Sequence, residues 1–281
     1  MSRANHIFQS LPVPGAGEIR EVLARRVDQQ KQAIGIAVGV IDPYGRRVVA
    51  YGNLAKGDPR TLDADTIFEI GSISKVFTSL VLADMVNRKE VTLDDPAAKY
   101  LPENVRMPER SGKSITLLDL STHRSGFPPL PDSVDDLYQF LSSYTLPRDP
   151  GCEFEYSNLG AGLLGHLLAC HAGTDYESLI RSRIARPLGM PDTGIMLTPS
   201  MNQRMATGHN AMLAPVANSD LPTPLAGAGA LRSSANDLLT FLEAFLGYKE
   251  SPLAPAMKAM LEVRRPAGQG EDRFRLADLL N

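Results

Sequence analysis

The segment Val76–Val86 is apolar nearly all round (Val76, Phe77, Leu80, Val81, Leu82, Ala83, Met85, Val86), and it constrains the fold more than any other stretch. A surface helix carries one apolar stripe; apolarity on every side predicts a helix enclosed by the rest of the molecule. Gly71-Ser72-Ile73-Ser74-Lys75 leads into it. On a helix, a spacing of three brings Ser72 and Lys75 to one face, with Cβ atoms about 5–6 Å apart. A serine hydroxyl is a poor nucleophile until a neighbouring base takes its proton, and a neutral lysine is one such base. At the start of a helix, unpaired N–H groups and the positive dipole end favour negative charge developing nearby. A bare Ser-x-x-Lys string is equally compatible with a cap at Ser72 and a solvated Lys75. The buried helix, and a second polar cluster downstream, shift the reading to a nucleophile on a rigid support.

The chain of 281 residues, 43% apolar and 22% charged, has ample material for a globular core. A net charge of −3 gives no electrostatic case for nucleic acid or an anionic membrane surface. No apolar run reaches the length of a membrane span. The stretch from Met1 to Gln9 has no apolar h-region, so the expectation is a chain without a signal peptide, either cytoplasmic or a mature form. Cys152 and Cys170 lack metal-ligand spacing and form no Cys-x-x-Cys pair; two buried thiols are expected, with one disulfide as the alternative. His6, His166, His171 and His209 show no metal spacing, so no metal is expected. Gly160-Ala161-Gly162-Leu163-Leu164-Gly165 formally fits Gly-x-Gly-x-x-Gly, but no βαβ unit surrounds it. Close helix packing is the expectation there, and no cofactor is expected.

In chain order, residues 17–32 predict an amphipathic helix, and 33–42 with 46–53 predict a β-hairpin around Asp42-Pro43-Tyr44-Gly45. After the central helix, Leu93-Asp94-Asp95-Pro96 suits a cap and a short helix. Further helices are expected over 115–121 (entered through Thr116), 135–144, 159–171, 176–185, 234–246 and 254–262. Residues 199–229, rich in Ala, Pro, Asn and Gly, read as a long irregular excursion. The absence of a βαβ rhythm argues against a doubly wound fold.

The second polar cluster is Tyr156-Ser157-Asn158, just past Pro150-Gly151 and just before a helix. A tyrosine in a dry pocket beside a lysine ammonium can have its pKa lowered and act as a base for a serine hydroxyl. An asparagine offers donor and acceptor together, which suits anchoring a substrate amide or holding a lysine. The bland alternative is an Asn158 helix cap with a packed tyrosine. His123 in a Ser-His-Asp scheme is the weaker reading, since no Gly-x-Ser-x-Gly elbow exists in the chain; a hydrogen-bonding role at a helix end is expected.

Together, Ser72-x-x-Lys75 and Tyr156-x-Asn158 resemble the first two motifs of the serine β-lactamase and penicillin-binding family, with Tyr-x-Asn pointing to its class C branch. Phe68-Glu69-Ile70-Gly71-Ser72, Leu93-Asp94-Asp95-Pro96, the segment from Ile115 to Gly126, Arg186-Pro187-Leu188-Gly189-Met190 and Gly227-Ala228-Gly229-Ala230-Leu231-Arg232-Ser233-Ser234 resemble family segments in family order. The nearest likeness is to D-alanyl-D-alanine carboxypeptidase/endopeptidases and related esterases. The resemblance implies an α+β fold, with an antiparallel sheet flanked by helices, plus a helical lobe. One domain over 1–281 is expected: hairpin and nucleophile-helix start at 17–75, a helical lobe at 76–230, and a shortened return to the sheet lobe at 231–281. It implies Ser72 as nucleophile and, through its N–H, oxyanion donor; Lys75 and Tyr156 as proton-transfer pair; and Asn158 as substrate contact. It also implies a periplasmic or secreted protein acting on a small molecule or a peptidoglycan peptide.

The family's third motif, Lys/His-Thr/Ser-Gly, has no match in residues 230–281. The nearest string, His171-Ala172-Gly173, reads as a helix C-cap. The strand bearing that motif usually supplies the second oxyanion N–H, and losing one such donor costs about 10²–10³ in rate. Two functions therefore compete: a serine hydrolase working through an acyl-enzyme on a β-lactam, a D-Ala-D-Ala peptide or a small ester, and a non-catalytic or acylation-only binding module. A sheet missing its C-terminal strands also leaves the hairpin edge, around 34–40 or 48–51, open to self-association.

Overall fold

The computed structural model describes residues 13–129, 136–266 and 273–275. Helix α1 (Ala16–Ala24) runs into a π turn, Arg25–Gln29, then the hairpin β1 (Gly35–Asp42) and β2 (Gly45–Gly52) follows. Pro43 and Tyr44 make its two-residue turn; Gly45 takes φ 135°, and Asp42 accepts from the Tyr44 N–H at 2.9 Å. Ile19 and Leu23 of α1 pack with Val49 into a small core of their own, with Ile36, Val38, Val40 and Tyr51 around it. Among the described residues β1 pairs only with β2, and a groove of about 490 Å³ runs along it between Phe68–Ile70 and Leu238, Leu239 and Leu242.

Strand β3 (Ile67–Glu69) leads through a 3-10 turn, Gly71–Ile73, into α2 (Ser74–Asn87). Every residue of α2 from Ser74 to Met85 is buried, as expected of a helix apolar on all sides. Phe77, Leu80, Leu82 and Met85 are fully enclosed, each worth about 1.5–3 kcal/mol of transfer free energy. A 3-10 turn at Ala97–Tyr100 and the short ladder of β4 (Glu109–Arg110) and β5 (Lys113–Ser114) follow. Helix α3 (Leu117–Ser121) is entered through Thr116, as expected, and Thr116 forms a capping box with Asp119. Helix α4 (Leu137–Ser143) covers the later part of the helix expected at 135–144, and Asp135 lies outside the described residues.

Helix α5 (Asn158–His171) packs against α2 in the main core. It ends through Ala172 and a left-handed Gly173, so His171-Ala172-Gly173 is a C-cap. Helix α6 (Tyr176–Ile180), a π turn (Arg181–Ala185) and α7 (Arg186–Leu188) run on to a left-handed Gly189. The stretch expected to be irregular contains α8 (Pro199–Gln203), capped by Thr198, and a 3-10 segment, Thr223–Ala228. Then come β6 (Arg232–Ser234), α9 (Ala235–Phe245), α10 (Ala254–Met260) and a ladder of β7 (Val263–Pro266) with β8 (Arg273–Arg275). The expected mixture of antiparallel ladders and a helical body is present, as an α+β fold. Cys152 and Cys170 are both free and exposed, which corrects the expectation of buried thiols: Cys152 lies in an exposed turn, and Cys170 sits at the solvent-facing end of α5.

The ladder of β3 with β6, Phe68 opposite Ser233 and Glu69 opposite Arg232, joins segments 163–167 residues apart and sets the entry to α2. Beyond it Ser234 caps α9, and the buried Asp237 in that first turn accepts from the Asp192 N–H and the Thr193 hydroxyl, each at 2.8 Å. Burial, helped by Asp192 and Asp65, pushes the Asp237 carboxyl up to about 6. A raised acid binds its proton more tightly in the folded state, so its stability contribution is present below pH 3.8 and lost as pH rises through 6. Asp237→Asn keeps both acceptor contacts without the charge. Relative to wild type, its unfolding free energy should rise between pH 3.5 and 7.5, by up to about 3 kcal/mol, in urea titrations. A difference independent of pH would show that Asp237 is not the titrating group.

Candidate active site

Gly71 takes φ 51°, a left-handed turn that glycine adopts without strain, and it swings the chain from β3 into the helix start. Ser72 is thereby exposed at the first turn while Lys75, one turn on, is 1% exposed. Lys75 Nζ reaches Ser72 Oγ at 3.0 Å, Asn158 Oδ1 at 2.8 Å and the Ala228 carbonyl at 2.6 Å. Tyr156 Oη lies 2.6 Å from Ser72 Oγ, and Lys75 Nζ stands 4.8 Å from the Tyr156 ring centroid. The four residues singled out in the sequence thus meet at one point. Asn158 is the first residue of α5, whose cap is Ser157; its Oδ1 faces Lys75, and its Nδ2 has no hydrogen bond among the described residues.

Burial lowers the Lys75 pKa, and contact with Tyr156 opposes that only in part. The three oxygens around Nζ satisfy an ammonium. They also suit a neutral amine, which donates to Asn158 and Ala228 and accepts from the Ser72 hydroxyl. The same cage therefore suits Lys75 in either protonation state.

Two supports of the site come from outside the two motifs. Residues 227–228 are held against α2, with Thr78 Oγ1 donating to the Gly227 carbonyl at 2.8 Å and lying 2.7 Å from Tyr176 Oη. Ser74 Oγ accepts from the Leu231 N–H, fixing the same segment further along. The glycines of α5 allow this approach: a Cβ on Gly162 would lie 2.7 Å from Leu225 Cα, and one on Gly165 3.0 Å from Gly227 Cα. Close packing is thus the role of that glycine string, as expected. Gly162→Ala should push the 223–228 segment and its Ala228 carbonyl away from Lys75. Overpacking costs about 1–3 kcal/mol, against the roughly 0.8–1 kcal/mol that alanine gains over glycine in a helix. Urea unfolding should show net destabilisation, and an unchanged midpoint would mean that the segment yields freely.

The second support is His123, just past the end of α3, with φ 56° and 1% exposure. It has the expected hydrogen-bonding role at a helix end: Nδ1 accepts from the Ser157 N–H at 3.0 Å. Its ring lies against Tyr156 with centroids 4.6 Å apart. Burial and the nearby Lys75 hold its pKa down to about 4. Among the described residues no cluster of His, Cys, Asp or Glu is able to hold a metal ion, and no helix is long and apolar enough to cross a membrane.

The beta-lactamase family profile matches residues 19–278. The D-alanyl-D-alanine-carboxypeptidase/endopeptidase AmpH of Escherichia coli K12 is 30% identical over 275 residues, which cover 92% of this chain and 70% of the relative. A beta-lactamase of the same organism is 33% identical over 203 residues, covering 68% of this chain and 52% of its own. Among solved structures, the class C beta-lactamase of Rhodobacter sphaeroides superposes with TM-score 0.76 at 31% identity, covering 87% of this chain and 70% of the other. The beta-lactamase/D-alanine carboxypeptidase of Pseudomonas syringae gives TM-score 0.80 at 26% identity, with coverage of 88% and 70%. With its family profile spanning most of the sequence and the same fold in these structures, the chain belongs to the beta-lactamase family of serine hydrolases, of the class C type.

Proposed function

We propose that this protein is an acyl-enzyme hydrolase in which Ser72 attacks the carbonyl of a β-lactam, a D-Ala-D-Ala peptide or a small ester. The observation that carries it is the placement of Ser72 Oγ, 2.6 Å from Tyr156 Oη and 3.0 Å from Lys75 Nζ. As the Oγ–C bond forms, the hydroxyl proton passes to the Lys75–Tyr156 pair, and the carbonyl oxygen becomes an oxyanion beside the Ser72 N–H. Collapse breaks the bond to the leaving nitrogen or oxygen, which takes the proton from the same pair and leaves an acyl-Ser72 ester. Water then hydrolyses that ester. In this reading Asn158 holds a substrate carbonyl through Nδ2 while its Oδ1 accepts from Lys75. The relatives named as carboxypeptidase and beta-lactamase support the substrate classes. A peptidoglycan peptide as substrate would place the protein outside the cytoplasm.

The competing reading is an acylation-only binding module, in which the acyl-Ser72 ester forms and lasts. Intact mass and rates measured with nitrocefin, a D-Ala-D-Ala-ended peptide and an activated ester separate the two. Multiple turnovers on any of them support the hydrolase, a lasting single adduct supports the module, and no adduct with any of them overturns both.

A further inference from the structure

We propose that His123 is a positioning residue for Tyr156, backing the phenol with its ring and clamping the chain on both sides of it. This rests on the proposed role of Tyr156 beside Ser72. The carbonyl of His123 accepts from the Glu155 N–H at 2.8 Å, and its Nδ1 accepts from the Ser157 N–H at 3.0 Å. Both neighbours of Tyr156 are therefore tied to one residue. The ring covers the third direction, inclined 31° to the Tyr156 ring, while Phe154 meets it edge-on at 5.8 Å. The left-handed φ of 56° is what turns backbone and side chain of His123 toward the same strip of chain. Histidine and asparagine enter that region more readily than most residues.

Accepting a hydrogen bond at Nδ1 from a backbone N–H fixes the imidazole as neutral, with its own proton on Nε2. That Nε2 is buried without a hydrogen-bond partner among the described residues, a cost an apolar ring would not carry. What distinguishes histidine from phenylalanine at this place is the Nδ1 acceptor. Burial and Lys75 both disfavour an imidazolium there, so the acceptor is retained at neutral pH. An aromatic acceptor that stays uncharged holds the tyrosine without adding a second cation beside Lys75.

Two substitutions separate the ring from the acceptor. His123→Asn tolerates the left-handed backbone and offers Oδ1 to the Ser157 N–H but removes the ring. His123→Phe keeps the ring and removes the acceptor. Stopped-flow acylation by a fluorescent penicillin should show the limiting rate constant down about 10–100-fold in each, with the half-saturating concentration nearly unchanged. In a Tyr156→Phe background the same substitutions should change the rate less than about twofold, because the group they position is already gone. Melting temperatures identify a variant that has not folded, and the other then carries the test. Wild-type acylation by a folded His123 variant overturns the proposal, and so does a full loss persisting on Tyr156→Phe. Should Tyr156→Phe alone acylate like wild type, the role of Tyr156 fails instead, and the two failures are distinct.

Discussion

Ser72→Ala is expected to abolish covalent labelling by a fluorescent penicillin, with adduct formation down at least about 10³-fold and the fold intact. The size follows from the chemistry: without Oγ no acyl ester forms, and only binding and the remaining oxyanion N–H are left. Ser72 is exposed at the head of a buried helix, so the substitution empties no core volume and should move the melting temperature little. Ser74 and Ser79 are the competing hydroxyls on the same segment. Both are buried: Ser74 Oγ is engaged by the Leu231 N–H, and Ser79 Oγ lies 2.9 Å from Ser121 Oγ. Labelling that persists in Ser72→Ala, or a peptide map placing the adduct on Ser74 or Ser79, would sink the assignment.

What the sequence disclosed and what it hid divide along physical lines. Helix α2 was legible because its signal is local: apolarity on all sides over eleven residues has one reading. Thr116 and Gly173 were legible for the same reason, since caps are written within four residues of where they act. Ladder β3–β6 was not, because Arg232-Ser233-Ser234 has no alternation and its partner lies 163–167 residues away. Of the site, Ser72, Lys75, Tyr156 and Asn158 came from two short motifs and their order. The Ala228 carbonyl is invisible to any side-chain pattern, because a backbone oxygen is contributed by position alone. His123 was visible as a residue at a helix end, but its contact with Tyr156 depends on two chain segments crossing. The exposed cysteines went wrong for a different reason. The expectation rested on how cysteines behave on average, whereas Cys152 lies in an exposed turn and Cys170 at the solvent-facing end of α5.

Lys75→Ala, Tyr156→Phe and the double variant should acylate at similar residual rates, each about 10²–10⁴ below wild type. The geometry gives Ser72 Oγ two neighbours that hold protons, Tyr156 Oη at 2.6 Å and Lys75 Nζ at 3.0 Å. Lys75 lies over the Tyr156 ring as well, so the three side chains form one connected group. Removing Lys75 leaves a phenol alone to take the proton from Ser72 and return it. Removing the phenolic oxygen leaves an amine alone to both take the proton and return it to the leaving group. Either loss breaks the same relay, and the second adds little once the first is made. Because burial depresses the Lys75 pKa, the wild-type rate should rise with pH as Lys75 loses its proton, and that limb should vanish in Lys75→Ala. Losses that multiply in the double variant would mean two independent groups, one of which would then serve the leaving group alone.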